Sequence, residues 1–126
     1  MYNPTTRPKF LNLFQIALPL AGIISILHRI SGLLLIIIIP FFIYALGQSL
    51  HSAQGFSHTI QLLQSTSTKL ILIPIIWSFS HHICAGLRFL LIDLHFGLDI
   101  KRIKQSAYVV LVCSLLLTLS LIWVIW

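Results

Sequence analysis

Two clusters of polar residues are embedded in otherwise apolar sequence, and their side chains point to ligand and charge chemistry. The first is Ser25-Ile26-Leu27-His28-Arg29-Ile30-Ser31-Gly32. On a helix, Ser25, His28, Arg29 and Gly32 fall at the spacings that share one face. The imidazole of His28 and the guanidinium of Arg29 can pair with carboxylates or quinone oxygens, and Gly32 lets another body approach the backbone. The plainer alternative for Arg29 is a snorkelling interfacial anchor. The second cluster runs from Ser80 to Asp93, where His82, Gly86, Phe89 and Asp93 form one stripe at spacings of four, three and four. Neutral imidazole is a natural axial ligand for haem iron. With His82 as that ligand, Gly86 would remove a side chain from the path of the macrocycle. The adjacent His81 is a second candidate ligand, and His82 could instead be a satisfied structural histidine. For Arg88 and Asp93, a helix-end charge pair or interfacial anchoring weighs evenly against a role at the ligand site.

The elements that carry these clusters must be membrane helices. Of 126 residues, 58% are hydrophobic and 8% charged, whereas soluble domains devote about a quarter of their residues to charge. Crossing a bilayer takes about 20 apolar residues in helix, because the backbone must satisfy its own hydrogen bonds in lipid. Segments 23–47, 69–92 and 106–126 qualify, so the fold class expected is all-α: an integral membrane bundle of three transmembrane helices in a single domain, 1–126. Residues 1–22 form a mixed segment on the inner side, with an apolar stretch at 10–18 suited to the interface. The first apolar run extends far beyond the core of a signal peptide, so no cleaved signal is expected. Pro40 and Pro74 fall inside helical runs, where each removes a backbone hydrogen bond.

The formal charge of +6 rests on eight Lys and Arg against Asp93 and Asp99. Basic residues gather at Arg7 and Lys9 and again at Lys101, Arg102 and Lys104, while 48–68 has neither Lys nor Arg ahead of position 69. By the positive-inside rule this puts the N-terminus and the 93–105 connection on the cytoplasmic side, or on the matrix side in a mitochondrion. Trp123 and Trp126 then suit the far interface. The first helix starts and the second ends at the inner face, so Ser25, His28, Arg29, Arg88 and Asp93 gather there. His82 lies about 9 Å deeper than Arg88 at 1.5 Å per residue. An ionisable group at such depth costs about 2.5–3.5 kcal/mol on insertion scales and is a functional candidate by default. His51 and His58, in the polar outer connection, and His95, past the second helix, read as interfacial or solvated.

Cys84 and Cys113 sit in apolar runs without a C-x-x-C or C-x-x-C-H pattern, so they are expected to be free thiols rather than a disulfide, a zinc site or a covalent haem attachment. No Ser-His-Asp arrangement, phosphate loop or nucleic-acid patch is present, and the third span has no polar cluster of its own. The bundle is too thin to enclose a site alone, so a partner is expected.

In order along the chain, these residues resemble the cytochrome b anchor subunits of succinate dehydrogenase, respiratory complex II. Arg7-Pro8 followed by Leu11-Asn12-Leu13 looks like the family's N-terminal segment. Ser25 to Gly32 matches its S-I-x-H-R-x-[ST]-G signature, and His82 to Asp93 matches H-x-x-x-G-[IL]-R-[HX]-x-x-x-D. The resemblance implies haem b shared with a second hydrophobic anchor subunit, His82 being one axial ligand and the partner supplying the other. It implies ubiquinone as substrate, with Ser25 and Arg29 lining its pocket, and haem propionates near His28, Arg29 and Arg88. It also implies flavoprotein and iron-sulfur partner subunits that pass on electrons from succinate, and a bacterial inner membrane or a mitochondrial inner membrane as the location. The chain would be a subunit of an enzyme without catalysing alone. Phe89 departs from the family, which commonly has histidine there. The reading from another class is a non-redox membrane protein, a transporter subunit or an assembly factor, whose buried Arg and His are structural.

Overall fold

A computed structural model describes residues 18–126. The expectations placed on Arg7, Pro8, Lys9 and the 1–17 segment lie outside the described residues. Four helices follow one another: α1 Leu20–His51, α2 Ala53–Gln64, α3 Thr66–Asp93 and α4 Ile100–Ile125. Among the described residues, α1, α3 and α4 are the helices long and apolar enough to cross a membrane, and they run through the three apolar segments named above. α3 packs against both α1 and α4, which meet each other less extensively.

The packing is the reverse of a soluble core. Large apolar side chains such as Leu33, Ile36, Phe41, Leu116 and Leu119 are exposed on the outside. The interior holds Ser31, Ser78, Ser80, Ala85, Ala107, Ser114 and Thr118, with Ile24 and Val110. Small residues let helix backbones approach closely where lipid removes the hydrophobic drive to associate. The interior hydroxyls cost little because they bond their own helices: Ser78 Oγ donates to Pro74 O at 2.8 Å and Ser80 Oγ to Ile76 O at 2.9 Å. Thr118 Oγ1 donates to Ser114 O at 2.7 Å. α1 and α3 continue through Pro40 and Pro74 respectively.

Residues 48–68, expected to be a polar connection, contain α2. Ser52, with extended backbone, caps it by accepting from Gly55 N at 2.9 Å. Phe56, Ile60 and Leu63 recur at helical spacing, a period diluted in sequence by the intervening Ser, His and Gln. The turn from α1 into α2 is so tight that a Cβ at Gly55 would collide with the Gln48 carbonyl. His51 and His58 are exposed. At the same end of the bundle, the Lys69 ammonium lies over the Trp126 ring at 5.1 Å, joining the start of α3 to the end of α4.

At the other end α3 stops in a Schellman motif. His95 N donates to Ile92 O at 2.9 Å and Phe96 N to Leu91 O at 3.0 Å, with His95 itself left-handed at φ 66°. Glycine usually takes this position. His95 is exposed, so its side chain can be changed without loss of packing. His95→Val should destabilise the α3–α4 turn, because a β-branched side chain tolerates the left-handed backbone less well than histidine does. His95→Gly should not, and thermal denaturation of the purified protein in detergent distinguishes the two.

Candidate functional site

The two polar clusters meet where the first turns of α1 pass the last turns of α3. The His28 and His82 imidazoles stack face to face, centroids 4.2 Å apart and planes 12° from parallel. Phe89, about two turns further along α3, closes on His28 edge-on at 5.3 Å. His28 therefore sits in a slot on α3 bounded by His82 and Phe89, and its Nε2 would lie 3.5 Å from a Cβ at Gly86. Gly86, expected to clear space for a macrocycle, borders the His28 ring. The tighter clearance belongs to Gly32, where a Cβ would stand 2.9 Å from His82 Cε1. The body that Gly32 admits to the α1 backbone is the His82 ring.

Hydrogen bonding fixes that ring's chemical state. His82 Nδ1 lies 3.2 Å from the His28 carbonyl oxygen and 3.2 Å from Ser31 Oγ. A carbonyl can only accept, so Nδ1 carries the proton and donates. The lone pair is then on Nε2, which bonds none of the described residues, and the ring is half-buried at the edge of the bundle. Metal-bound histidines characteristically donate their second ring N–H to a backbone carbonyl. The donor set among these residues thus fits an imidazole ligand with one open nitrogen.

His81 is in a different situation. It is completely buried, its ring stacked on Trp77 at 5.4 Å and 19°, with the Ile24 backbone facing it from α1. Neither ring nitrogen completes a hydrogen bond. The sequence favoured His82 by its spacing to Gly86, Phe89 and Asp93 but left His81 open. One residue of helix, about 100°, turns His81 to the interior and His82 to the edge.

The remaining site candidates separate. Ser25 is half-buried and Arg29 exposed, one turn apart on α1. Arg88 is 5% exposed and turns away from His82, since six residues along a helix is about 120° around it. Its Nε donates to Ser106 Oγ at 3.0 Å and its Nη2 to Ile103 O at 3.3 Å. Arg88, expected at or near a haem propionate, clamps the first turns of α4 in this structure. Its guanidinium also lies 5.3 Å from the Phe89 ring. Nor does it pair with Asp93, which is exposed. Among the described residues the one ion pair is Asp99–Arg102, 3.3 Å and largely solvated, a geometry that contributes little. Cys84 and Cys113 are free. Among the described residues no group of three or more His, Cys, Asp or Glu converges as a metal site.

Ser31 was part of the first motif but not singled out from sequence. Its burial and its contact with His82 are the features that matter, and its spacing of three from His28 was the available signal.

The family model for the succinate dehydrogenase/fumarate reductase transmembrane subunit matches residues 3–121. The chain belongs to that family. Relatives named succinate dehydrogenase cytochrome b556 subunit include one from Coxiella burnetii, 35% identical over 120 residues, covering 94% of this chain and 96% of the relative. Another, from Paracoccus denitrificans, is 31% identical and covers 91% and 88% of the two chains. One from Rickettsia prowazekii is 29% identical and covers 98% and 94%. Family membership and the three long apolar helices agree on an all-α membrane subunit, and favour it over a transporter subunit or assembly factor.

Proposed function

We propose that this chain is one of two membrane-anchor subunits of succinate dehydrogenase, holding haem b jointly with the second anchor and helping to form the site where ubiquinone is reduced. The observation that carries the reading is the state of His82: Nδ1 bonded to the His28 carbonyl, Nε2 open, and the ring at the edge of the bundle. His82 would hold the haem iron through Nε2, with a histidine of the partner anchor as its second protein ligand. His81, enclosed by its own helices, is unsuited to reach a shared iron. When bound, haem b supplies a one-electron store within the membrane.

The chain's other residues bind and orient. His28, held between His82 and Phe89, and Arg29 would meet the haem propionates. Ser25 and Arg29 line the quinone pocket. The Ser25 hydroxyl donates to a quinone oxygen, and the guanidinium of Arg29 stabilises the negative charge that builds on the ring oxygens before two protons arrive. The basic start of α4, with Lys101, Arg102 and Lys104, supports an inner-side placement of this end in a bacterial inner membrane. Here an iron-sulfur subunit, itself fed by a flavoprotein, would deliver electrons from succinate.

The test is spectroscopic. The complex purified through its flavoprotein subunit should show the reduced-minus-oxidised spectrum of a b-type cytochrome, with close to one haem per flavin. An intact complex without that spectrum overturns the haem assignment.

A further inference from the structure

We infer that Ser31 is a positioning residue for the axial imidazole: its buried hydroxyl joins the His28 carbonyl and His82 Nδ1 in one hydrogen-bonded unit that sets the tautomer and strength of the ligand, while Gly32 clears the slot in which the ring lies. The inference rests on the reading of His82 as the haem ligand and goes beyond it, because it assigns control of that ligand to α1.

Three observations converge. Ser31 is fully buried, and its hydroxyl proton is committed: Oγ donates to His28 O at 2.8 Å. The Oγ lone pairs, and not its proton, are therefore available to His82 Nδ1 at 3.2 Å. The Nδ1 proton then faces two acceptors, the carbonyl oxygen and Oγ, both at 3.2 Å. A proton placed on Nε2 instead would leave the Nδ1 lone pair against the carbonyl oxygen and break the Ser31–His28 bond if the hydroxyl turned to rescue it. The unit thus admits one tautomer, the one that leaves Nε2 for iron.

Orientation is fixed as well. The His28 ring covers one face of His82, and the α1 backbone at Gly32 lies so close that a Cβ would stand 2.9 Å from Cε1 and 3.3 Å from Nδ1. Neither atom is the end of a flexible chain, so alanine at 32 forces the ring to move. Donation from Nδ1–H to two acceptors raises electron density at Nε2, which favours ferric over ferrous iron.

The experiment is a redox titration of the haem in the assembled complex, with low-spin electron paramagnetic resonance of the oxidised form and carbon monoxide binding to the reduced form. Assembly is verified by flavin and iron-sulfur content. Ser31→Ala should retain haem, shift the ferric–ferrous equilibrium toward ferrous on the order of tenfold, at the low end of effects of groups behind a metal ligand, and alter the low-spin signal. Ser31→Thr, which keeps the hydroxyl, should restore the equilibrium. Gly32→Ala should weaken ligation, so that reduced haem binds carbon monoxide. A native equilibrium and native low-spin signal in Ser31→Ala overturn the inference, as does an equal shift in Ser31→Thr. If Gly32→Ala fails to assemble, Ser31→Ala decides. His82→Ala separates this inference from its foundation: low-spin haem surviving that change refutes the ligand reading itself, whereas its loss alongside an unaltered Ser31→Ala refutes only the role of Ser31.

Discussion

Replacing His82 with alanine should empty the complex of low-spin haem b, while His81→Ala leaves the b-type spectrum in place. The contrast between neighbours is expected because they occupy opposite environments. His82 presents an unbonded Nε2 at the edge of the bundle with its other nitrogen anchored on His28 O. His81 is sealed among α1 and α3 with both nitrogens unbonded. To ligate, His81 would have to rotate by about 100° around the helix, dragging the small-residue interface of Ser78 and Ala85 with it. Loss of one of two strong axial ligands leaves an iron that is high-spin or absent, so the expected effect is nearly complete loss of the low-spin signal. His81→Ala has a different signature. It removes two buried nitrogens that lack partners, each costing about 1–3 kcal/mol, and opens a cavity beside Trp77. These opposing terms leave stability little changed. Optical spectra of the two variants at matched flavin content make the comparison. Haem lost only from His81→Ala would transfer the ligand assignment to the neighbour.

The span count was readable because lipid imposes a simple rule: about 20 apolar residues per crossing, with backbone bonds satisfied internally. The polar face of α1 was readable for a related reason. His28, Arg29 and Ser25 are costly in lipid and stand out against Ile and Leu. Other features were hidden by local ambiguity. α2 is amphipathic, and Phe56, Ile60 and Leu63 are too sparse among Ser, Gln and His to outweigh the polar composition of the segment. The direction of Arg88 depended on Ser106 and Ile103 of α4, eighteen and fifteen residues away, and no spacing rule along α3 could reveal them. Gly86 and Gly32 were both read as points of close approach. Which ring each would meet was a property of the α1–α3 register, so the occupants emerged only from packing: His28 beside Gly86, His82 beside Gly32. Phe89, read as a departure from the family's usual histidine, has a packing role against His28.

Arg29→Ala should slow ubiquinone reduction by about 10- to 100-fold while succinate oxidation with an artificial acceptor is retained. The magnitude follows from one charge-assisted hydrogen bond, about 1.5–3 kcal/mol, at 1.36 kcal/mol per tenfold in rate. Arg29 is exposed on α1 and pairs with none of the described carboxylates. Its removal therefore leaves no buried partner uncompensated and should not unfold the bundle, unlike removal of Arg88, which holds α4. Ser25→Ala, which removes a neutral hydroxyl one turn away, should cost less, about 0.5–1.5 kcal/mol or up to roughly tenfold. Because both side chains are proposed to touch the same bound quinone, the double variant should lose less than the product of the single losses. If Arg29 were only an interfacial anchor, Arg29→Lys would restore turnover as well as a quinone contact could, and Ser25→Ala would have no effect. A planar fork serving a ring oxygen is not replaced by an ammonium, so Arg29→Lys should recover only part of the rate. Steady-state rates with a soluble ubiquinone analogue and with an artificial acceptor, measured on one preparation, separate these outcomes. Unchanged quinone turnover in both alanine variants would remove Ser25 and Arg29 from the pocket.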